Sequence, residues 1–238
     1  MKRDRYFYSV TSFVLLLLML IGFRHFLLDG KDGDGEEIGR PILTMVIIHG
    51  SGLMLWVILF FVQSVLIASK NRQLHMKLGW AAAVVALLIA ITGPVVATFA
   101  PRLHPTEHLF GMTYRQFILP MYTEIFVFTT FVALGLWYRK KPATHRSLML
   151  LATLAVTSGS TSRIPVIGDL FPPAYGLILF GPVFVLGAVI LLAQTIVNHS
   201  FDKWLATGYV ALAAVYITVM TVAVGESWTR IAERIAPG

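Results

Sequence analysis

The chain contains no cysteine, and this absence excludes several kinds of site. Without thiols there is no disulfide, no thiolate nucleophile, no iron–sulfur cluster and no Cys-x-x-Cys-His attachment of haem. Any bound metal or haem therefore depends on histidine, methionine, tyrosine or carboxylate ligands. The sequence also lacks a glycine-rich phosphate loop, a His-Glu-x-x-His pair and a Gly-x-Ser-x-Gly motif, so the commonest signatures of nucleotide binding and hydrolysis are missing.

Charge is the second thing the chain has little of. Only 13% of its 238 residues are charged and 57% are hydrophobic, with a mean hydropathy of +0.76. Soluble domains carry about 25% charged residues. The composition therefore predicts an integral membrane protein. No polar stretch is long enough for a separate soluble domain, so residues 1–238 are expected to form a single transmembrane domain.

Long apolar runs make up most of the chain. Seven windows reach the roughly 17–25 residues that a helix needs to cross a bilayer: 6–28, 42–69, 78–100, 117–138, 147–167, 174–197 and 205–226. The sequence thus predicts an all-α polytopic membrane protein with seven transmembrane helices. The fifth window is diluted by serine and threonine, which leaves open whether it crosses as a regular helix or breaks near Gly159 to line a cavity.

The formal net charge of +7 reflects topology. Basic residues concentrate at the N-terminus and in the even-numbered loops, while residues 29–37 between the first two windows are acidic. Eleven of the nineteen lysine and arginine residues lie at the N-terminus or in the even-numbered loops: Lys2, Arg3, Arg5, Lys70, Arg72, Lys77, Arg139, Lys140, Lys141, Arg146 and Lys203. The positive-inside rule then predicts a cytoplasmic N-terminus and an external C-terminus. The expected partner is the lipid bilayer, and no nucleic-acid partner is expected.

A polar stripe crosses the second window. His49, Trp56 and Gln63 recur at seven-residue intervals, so they share one face over about 21 Å of helix. Polar groups in a membrane span must face protein or water. Two ionisable residues of later windows, Glu124 and Arg163, lie at a similar outer depth to His49, whereas Gln63 lies toward the inner face.

These residues suggest a ligand or proton site between the second, fourth and fifth helices. In this hypothesis His49, Glu124 and Arg163, with Gln63 further in, form a site that opens toward a loop carrying His104, Glu107 and His108. The alternative is structural. Arg163 and Glu124 then form an ion pair that locks helix packing, and His49 is hydrogen-bonded in the core.

Two further histidines occupy matching places in what looks like a duplicated hairpin. His75 and His145 each follow an apolar span and a basic turn, with Leu three residues and Ala seven residues later. They could form a bis-imidazole haem or metal site at the inner face, with His49 as a separate ligand candidate in the outer half. The alternative is that they cap helix N-termini or meet lipid phosphates beside Arg72 and Arg146.

The chain resembles a group of uncharacterised bacterial seven-helix membrane proteins. The resemblance rests on His49…Gln63…Arg72-x-x-His75-x-x-Leu-Gly and on residues 144–152 followed by Arg163-Ile-Pro, and it covers the second to the fifth helix. The chain departs from that pattern at Ser147, where arginine is usual, and in its serine- and threonine-rich fifth helix. The resemblance implies a seven-helix architecture and a multi-pass place in a bacterial inner membrane. It assigns no activity.

Three functions stay open at this point. The first is a cofactor-binding or redox-linked membrane protein that uses His49, His75 and His145 as haem or metal ligands. The second is a proton-coupled transporter of a small solute, built on Glu124, Arg163 and His49. The third is a structural or assembly subunit of a membrane complex, with a homo-oligomer or another membrane protein as partner. Whether the chain is an enzyme is left open.

Overall fold

The computed structural model describes residues 2–31, 37–38, 40–103, 108–172 and 176–236, and these are almost entirely helical. The elements are, in chain order, α1 (Lys2–Gly22), α2 (Arg24–Asp29), α3 (Arg40–Ala68), α4 (Arg72–Leu103), β1 (His108–Leu109), β2 (Met112–Thr113), α5 (Tyr114–Trp137), α6 (Pro142–Ala155), α7 (Ser158–Thr161), α8 (Pro165–Gly168), α9 (Leu177–Asn198), α10 (Lys203–Ala223) and α11 (Glu226–Ile235). The prediction of an all-α fold is confirmed.

Five of these helices are long and apolar enough to cross a membrane. They are α3, α4, α5, α9 and α10, whose candidate spans are 21 to 31 residues long and each contain a strongly apolar stretch of 18 residues. Helix α1 contributes a shorter apolar segment, Tyr6–Gly22. A multi-pass membrane protein is the class that these lengths support.

Two of the predicted windows are interrupted. The first helix ends at Gly22 and resumes as α2 after Phe23. The fifth window divides into α6, α7 and α8, with a turn at residues 156–157, so the break lies just before the expected position near Gly159. The two interruptions meet, because a Cβ on Gly22 would overlap the backbone of Ser160. Close approach of a glycine to another backbone is typical of helix contacts in membranes.

The helices form two neighbouring hairpins. Helices α3 and α4 pack against each other, α4 packs on α5, and α5 packs on α6 and α10. Trp56 of α3 meets Phe128 of α5 edge-on, with ring centroids 4.9 Å apart. Phe180 of α9 lies against Tyr216 of α10 at 4.1 Å. These buried aromatic pairs tie the two hairpins and the last two long helices into one core.

A short hairpin and the last helix cover one end of the bundle. Phe110 and Gly111 both have positive φ, which suits the two-residue turn that joins the antiparallel strands β1 and β2. The hairpin leads into α5, whose first turn is capped reciprocally by Thr113 and Gln116. Helix α11 docks here, because Trp228 donates a hydrogen bond to the Gln116 carbonyl at 3.1 Å.

Candidate functional site

The predicted site residues form two groups, with His49 apart from both. We call Gln63, His75 and His145 the inner group, and Glu124 and Arg163 the outer group, after the predicted sides of the membrane. His49 and Gln63 are separated by fourteen residues of α3, about 21 Å along the axis. The structure brings Gln63 together with His75 and His145, while Glu124 and Arg163 lie together elsewhere. In the part of the chain that the structure describes, no three His, Asp or Glu side chains converge as a metal site would need. His49 thus lies apart from the two inner histidines, as expected of a separate ligand candidate in the outer half.

The inner group is built by equivalent positions of the two hairpins. His75 is the fourth residue of α4, and His145 is the fourth residue of α6. Because both hairpins start their second helix at the same level, the two imidazoles face each other. Their ring centroids are 6.4 Å apart and the ring planes are nearly perpendicular, at 85°. The duplicated pattern in the sequence thus corresponds to a real pair in space.

One hydrogen bond fixes the protonation of His145. Its Nδ1 lies 2.8 Å from the Gly135 carbonyl of α5. A carbonyl oxygen only accepts, so Nδ1 carries a proton, and in the neutral ring Nε2 keeps its lone pair. Histidines that bind metals usually donate their other ring N–H in this way.

The neighbouring polar atoms of the inner group lack partners. The Nδ1 of His75 and the Oε1 of Gln63 are buried, and neither has a hydrogen-bond partner among the residues that the structure places. The His75 ring also forms a hydrogen bond with the backbone of Gln63, so only its Nδ1 is without a partner among the described residues. Buried polar atoms without partners are uncommon in folded proteins and indicate an unplaced water, ion or ligand. Gln63 thus lies with the inner histidines, whereas the sequence grouped it with His49, Glu124 and Arg163.

Neither inner histidine caps its helix at the described starts of α4 and α6, and contact with lipid phosphates beside Arg72 and Arg146 stays a prediction. The first turn of α4 is capped by Asn71, whose Oδ1 accepts from the Leu74 N–H at 3.2 Å. Helix α6 starts with Pro142 at its first turn and has no side-chain cap. Both imidazoles are therefore left for other contacts.

The outer group gathers at the break between α6 and α7. Ser158, at the start of α7, donates a hydrogen bond to Oε1 of Glu124. The Arg163 guanidinium interacts electrostatically with the Glu124 carboxyl group and donates to the Gly159 carbonyl at 2.8 Å. Its Cζ also lies 5.5 Å from the ring centre of Phe23 and 5.1 Å from that of Phe110. Arg163 and Glu124 are thus brought together, as both the functional and the structural hypothesis expected.

His49 belongs to neither group. Its Nδ1 lies 3.0 Å from the Thr92 hydroxyl, and that hydroxyl donates its own proton to the Leu88 carbonyl at 2.8 Å. His49 must therefore be the donor to Thr92, and its ring is bonded between α3 and α4. This is the core hydrogen bond that the structural alternative describes. Of the loop residues, His108 is exposed at the start of β1, and His104 and Glu107 lie outside the described residues.

Three residues at the helix break escaped the sequence reasoning. Tyr216 of α10, fully buried, donates from its hydroxyl to the Ala155 carbonyl at 3.0 Å and so satisfies the last carbonyl of α6. Thr153 accepts from the indole N–H of Trp56 at 3.2 Å. Ser158 binds Glu124. The polar stripe identified Trp56, but no sequence pattern identified Thr153 as its partner on another helix.

The remaining hydroxyls of the break satisfy the backbone. Each donates to a carbonyl three or four residues earlier: Thr157 to Leu154, Ser160 to Thr157, Thr161 to Thr157 or Ser158, and Ser162 to Gly159. Interrupted helices at membrane depth persist only where the freed backbone groups find partners inside the protein. The serine and threonine run supplies those partners locally, which explains why the window breaks where it does.

No protein-family model, no curated protein and no solved structure matches the chain, so its function has to be inferred from the geometry of these two groups.

Proposed function

We propose that the chain is a cofactor-binding, redox-linked protein of a bacterial inner membrane, and that His75 and His145 are the ligands of its metal centre. The observation that carries the proposal is the facing pair of imidazoles, 6.4 Å apart between ring centroids. Haem iron is the centre that fits the pair best. His49, bonded to Thr92, has no role in this centre.

The separation of the two rings would let both imidazoles hold one metal ion. A metal–imidazole bond is about 2 Å long, and the ring radius adds about 1 Å on each side, so two such ligands have ring centres about 6 Å apart. The hydrogen bond from His145 to Gly135 supports the same role, since it leaves Nε2 available and fixes the ring orientation.

The small number of protein ligands favours haem over a bare metal ion. Structural zinc takes four protein ligands and catalytic zinc takes three. Haem brings four nitrogen ligands of its own and needs only axial ligands from the protein, for which histidine is common. Two facing histidines therefore suit a haem iron better than zinc.

The face of α4 next to His75 carries a small residue, which would let a flat ligand approach the helix backbone. Gly79 lies one turn further along the same face, and a methyl group there would meet only the Gln63 side chain, at 3.8 Å from Nε2. When bound, such a group supplies one-electron transfer. The chain's own part is to hold the two imidazoles, to keep His145 in one tautomer and to enclose the pair among the inner ends of α3 to α6.

An optical spectrum of the detergent-purified protein, produced in cells with an ample haem supply, tests the proposal. We expect a Soret band that is lost in His75→Ala and in His145→Ala. A matched control is His199→Asn: this histidine sits at the end of α9 in a left-handed conformation (φ 48°) that asparagine also adopts, so the band should persist. A colourless, metal-free wild-type protein, or a band that survives both alanine variants, would contradict the proposal.

The same proposal includes seven membrane crossings with the N-terminus inside. The five long helices supply five crossings, α1 supplies one through its shorter apolar segment, and α6 to α8 together supply the last. The basic turn that carries Lys70 and the one that carries Lys140 then lie on the cytoplasmic side, and so does the histidine pair beside them.

A further inference from the structure

We infer that Glu124 is a proton-binding site inside the membrane, which takes up and releases a proton at the break between α6 and α7. The site is separate from the inner histidine pair and does not depend on a metal centre there. Its ligand is the proton itself. Proton binding at this depth is what a proton-coupled transporter requires, but the inference holds without a transported solute.

The position of Glu124 makes both of its protonation states costly without help. It lies ten residues into α5, about 15 Å along the axis from the start of a 24-residue apolar helix. An ionised carboxyl group at membrane depth is unfavourable unless it is paired and hydrogen-bonded. A neutral carboxylic acid avoids that penalty but needs a partner for its polar atoms. The surroundings of Glu124 contain groups that stabilise each of these two forms.

Ser158 is the partner that serves both forms. It is fully buried, and its hydroxyl binds the Glu124 carboxyl group. The other hydroxyls between residues 157 and 162 donate to backbone carbonyls of the same segment, so Ser158 differs from its neighbours in being directed at another helix. A serine hydroxyl both donates and accepts, so it can donate to the ionised carboxylate or accept from the protonated acid.

The charged and titratable groups around Glu124 are few. Arg163 follows α7 and interacts electrostatically with the carboxyl group, which stabilises the ionised form. Tyr216 of α10 also lies within electrostatic range, but its hydroxyl donates to the Ala155 carbonyl. His49 of α3 is engaged with Thr92, and its ring lies with the Ile125 side chain against Gly93. Among the described residues, the positive charge of Arg163 therefore favours the ionised carboxylate, while the apolar surroundings favour the neutral acid.

The hydrogen bond to Ser158 also connects two different helices. It links the continuous helix α5 to the short helix α7, which in turn meets α1 at the close contact between Gly22 and Ser160. A change of charge on Glu124 therefore acts directly on the packing of the broken helix. This is how proton uptake at the site would reach the rest of the molecule.

Dicyclohexylcarbodiimide, an apolar reagent that modifies protonated carboxyl groups, tests the inference in membranes that contain the full chain. Mass spectrometry of the peptide with Glu124 should show modification at low pH that declines as the pH rises, and Glu124→Gln should show none. Absence of modification at every pH would mean a permanently ionised carboxylate. Modification that does not change with pH would mean a permanently neutral acid. Either result overturns the inference.

Two serine variants sharpen the test. Ser158→Ala removes a hydrogen bond that is stronger to the carboxylate than to the neutral acid, so the midpoint of modification should rise, by up to about one pH unit. Ser160→Ala is the matched control, because its hydroxyl binds only the Thr157 carbonyl in the same segment. An equal shift in both variants would contradict a specific role for Ser158.

Discussion

The hydrogen bond from His145 to the Gly135 carbonyl decides which ring nitrogen is available to a ligand. The same reasoning applies to His49, where the Thr92 hydroxyl has already used its proton on Leu88. Both rings therefore carry a proton on Nδ1. The difference between them lies in their neighbours, because only His145 faces a second imidazole. In each histidine a single hydrogen bond thus determines the tautomer, while the groups on the neighbouring helices determine whether the ring can bind a ligand.

Gly79 gives a prediction at the same scale. If a flat cofactor lies along α4 between His75 and Gly79, a large side chain at Gly79 should exclude it. Gly79→Phe should lose the Soret band, and Gly79→Ala should keep it, because a methyl group fits the available space. Visible spectra of the two purified variants, with equal yields of folded protein by size-exclusion chromatography, check this. Retention of the band in the phenylalanine variant would place the cofactor elsewhere.

The residue pairs also show what a sequence can and cannot reveal. The pairing of His75 with His145 was predictable, because equivalent places in two hairpins come to the same depth. The bonds of Ser158 to Glu124 and of Trp56 to Thr153 were not predictable, because they depend on helix rotations that periodicity does not fix. The sequence identifies the polar residues, but it does not show which residues of other helices they bind.

Helices α6 and α7 show how an element can end inside a membrane protein. The last carbonyl of α6, on Ala155, accepts from Tyr216 of α10, and the hydroxyls of the turn satisfy carbonyls nearby. Hydropathy averaged over a membrane-length window cannot locate such a break, because two residues change the average very little. The serine and threonine content of the window predicted an irregular helix. The position of the break depends on a tertiary contact, the hydrogen bond from Tyr216.

Tyr216→Phe gives a prediction at the element scale. The substitution leaves the Ala155 carbonyl without its donor in a buried setting, which should cost about 1–3 kcal/mol of unfolding free energy. Thermal unfolding of the detergent-purified protein should show a clear decrease in midpoint. The control is Tyr209→Phe on the same helix, whose hydroxyl donates to the Phe184 carbonyl of the uninterrupted helix α9. We expect a smaller decrease in the Tyr209 variant. Equal decreases in the two variants would contradict a specific role of Tyr216 at the end of α6.

At the scale of the whole molecule, the membrane class and the five long spans were predictable from composition and run length alone. The last helix was not. Helix α11 follows the final apolar window, and four of its ten residues are charged: Glu226, Arg230, Glu233 and Arg234. Its position comes from contacts far along the chain, in which Trp228 binds the Gln116 carbonyl and Arg102 donates to the Ile235 carbonyl at 3.1 Å.

The absence of cysteine makes the proposed topology directly measurable, because a single introduced thiol has no background. Asp29, Lys140, Asp169, Ser200 and Ser227 are all exposed and lie between or beyond the proposed crossings. With seven crossings and an internal N-terminus, a membrane-impermeant maleimide added to intact spheroplasts should label cysteine at 29, 169 and 227. Cysteine at 140 and 200 should react only after permeabilisation.

The decisive comparison is between positions 140 and 169, which flank the interrupted segment α6 to α8. Labelling on opposite sides means that the segment crosses the bilayer in spite of its break, as its internally bonded hydroxyls allow. Labelling on the same side means that it enters and returns, and the fifth predicted crossing is then wrong. The unmodified chain, which should take up no reagent, serves as the control. Because Glu124 bonds to Ser158 within this segment, the same result also shows whether the proton site lies on a crossing helix or at the tip of a re-entrant one.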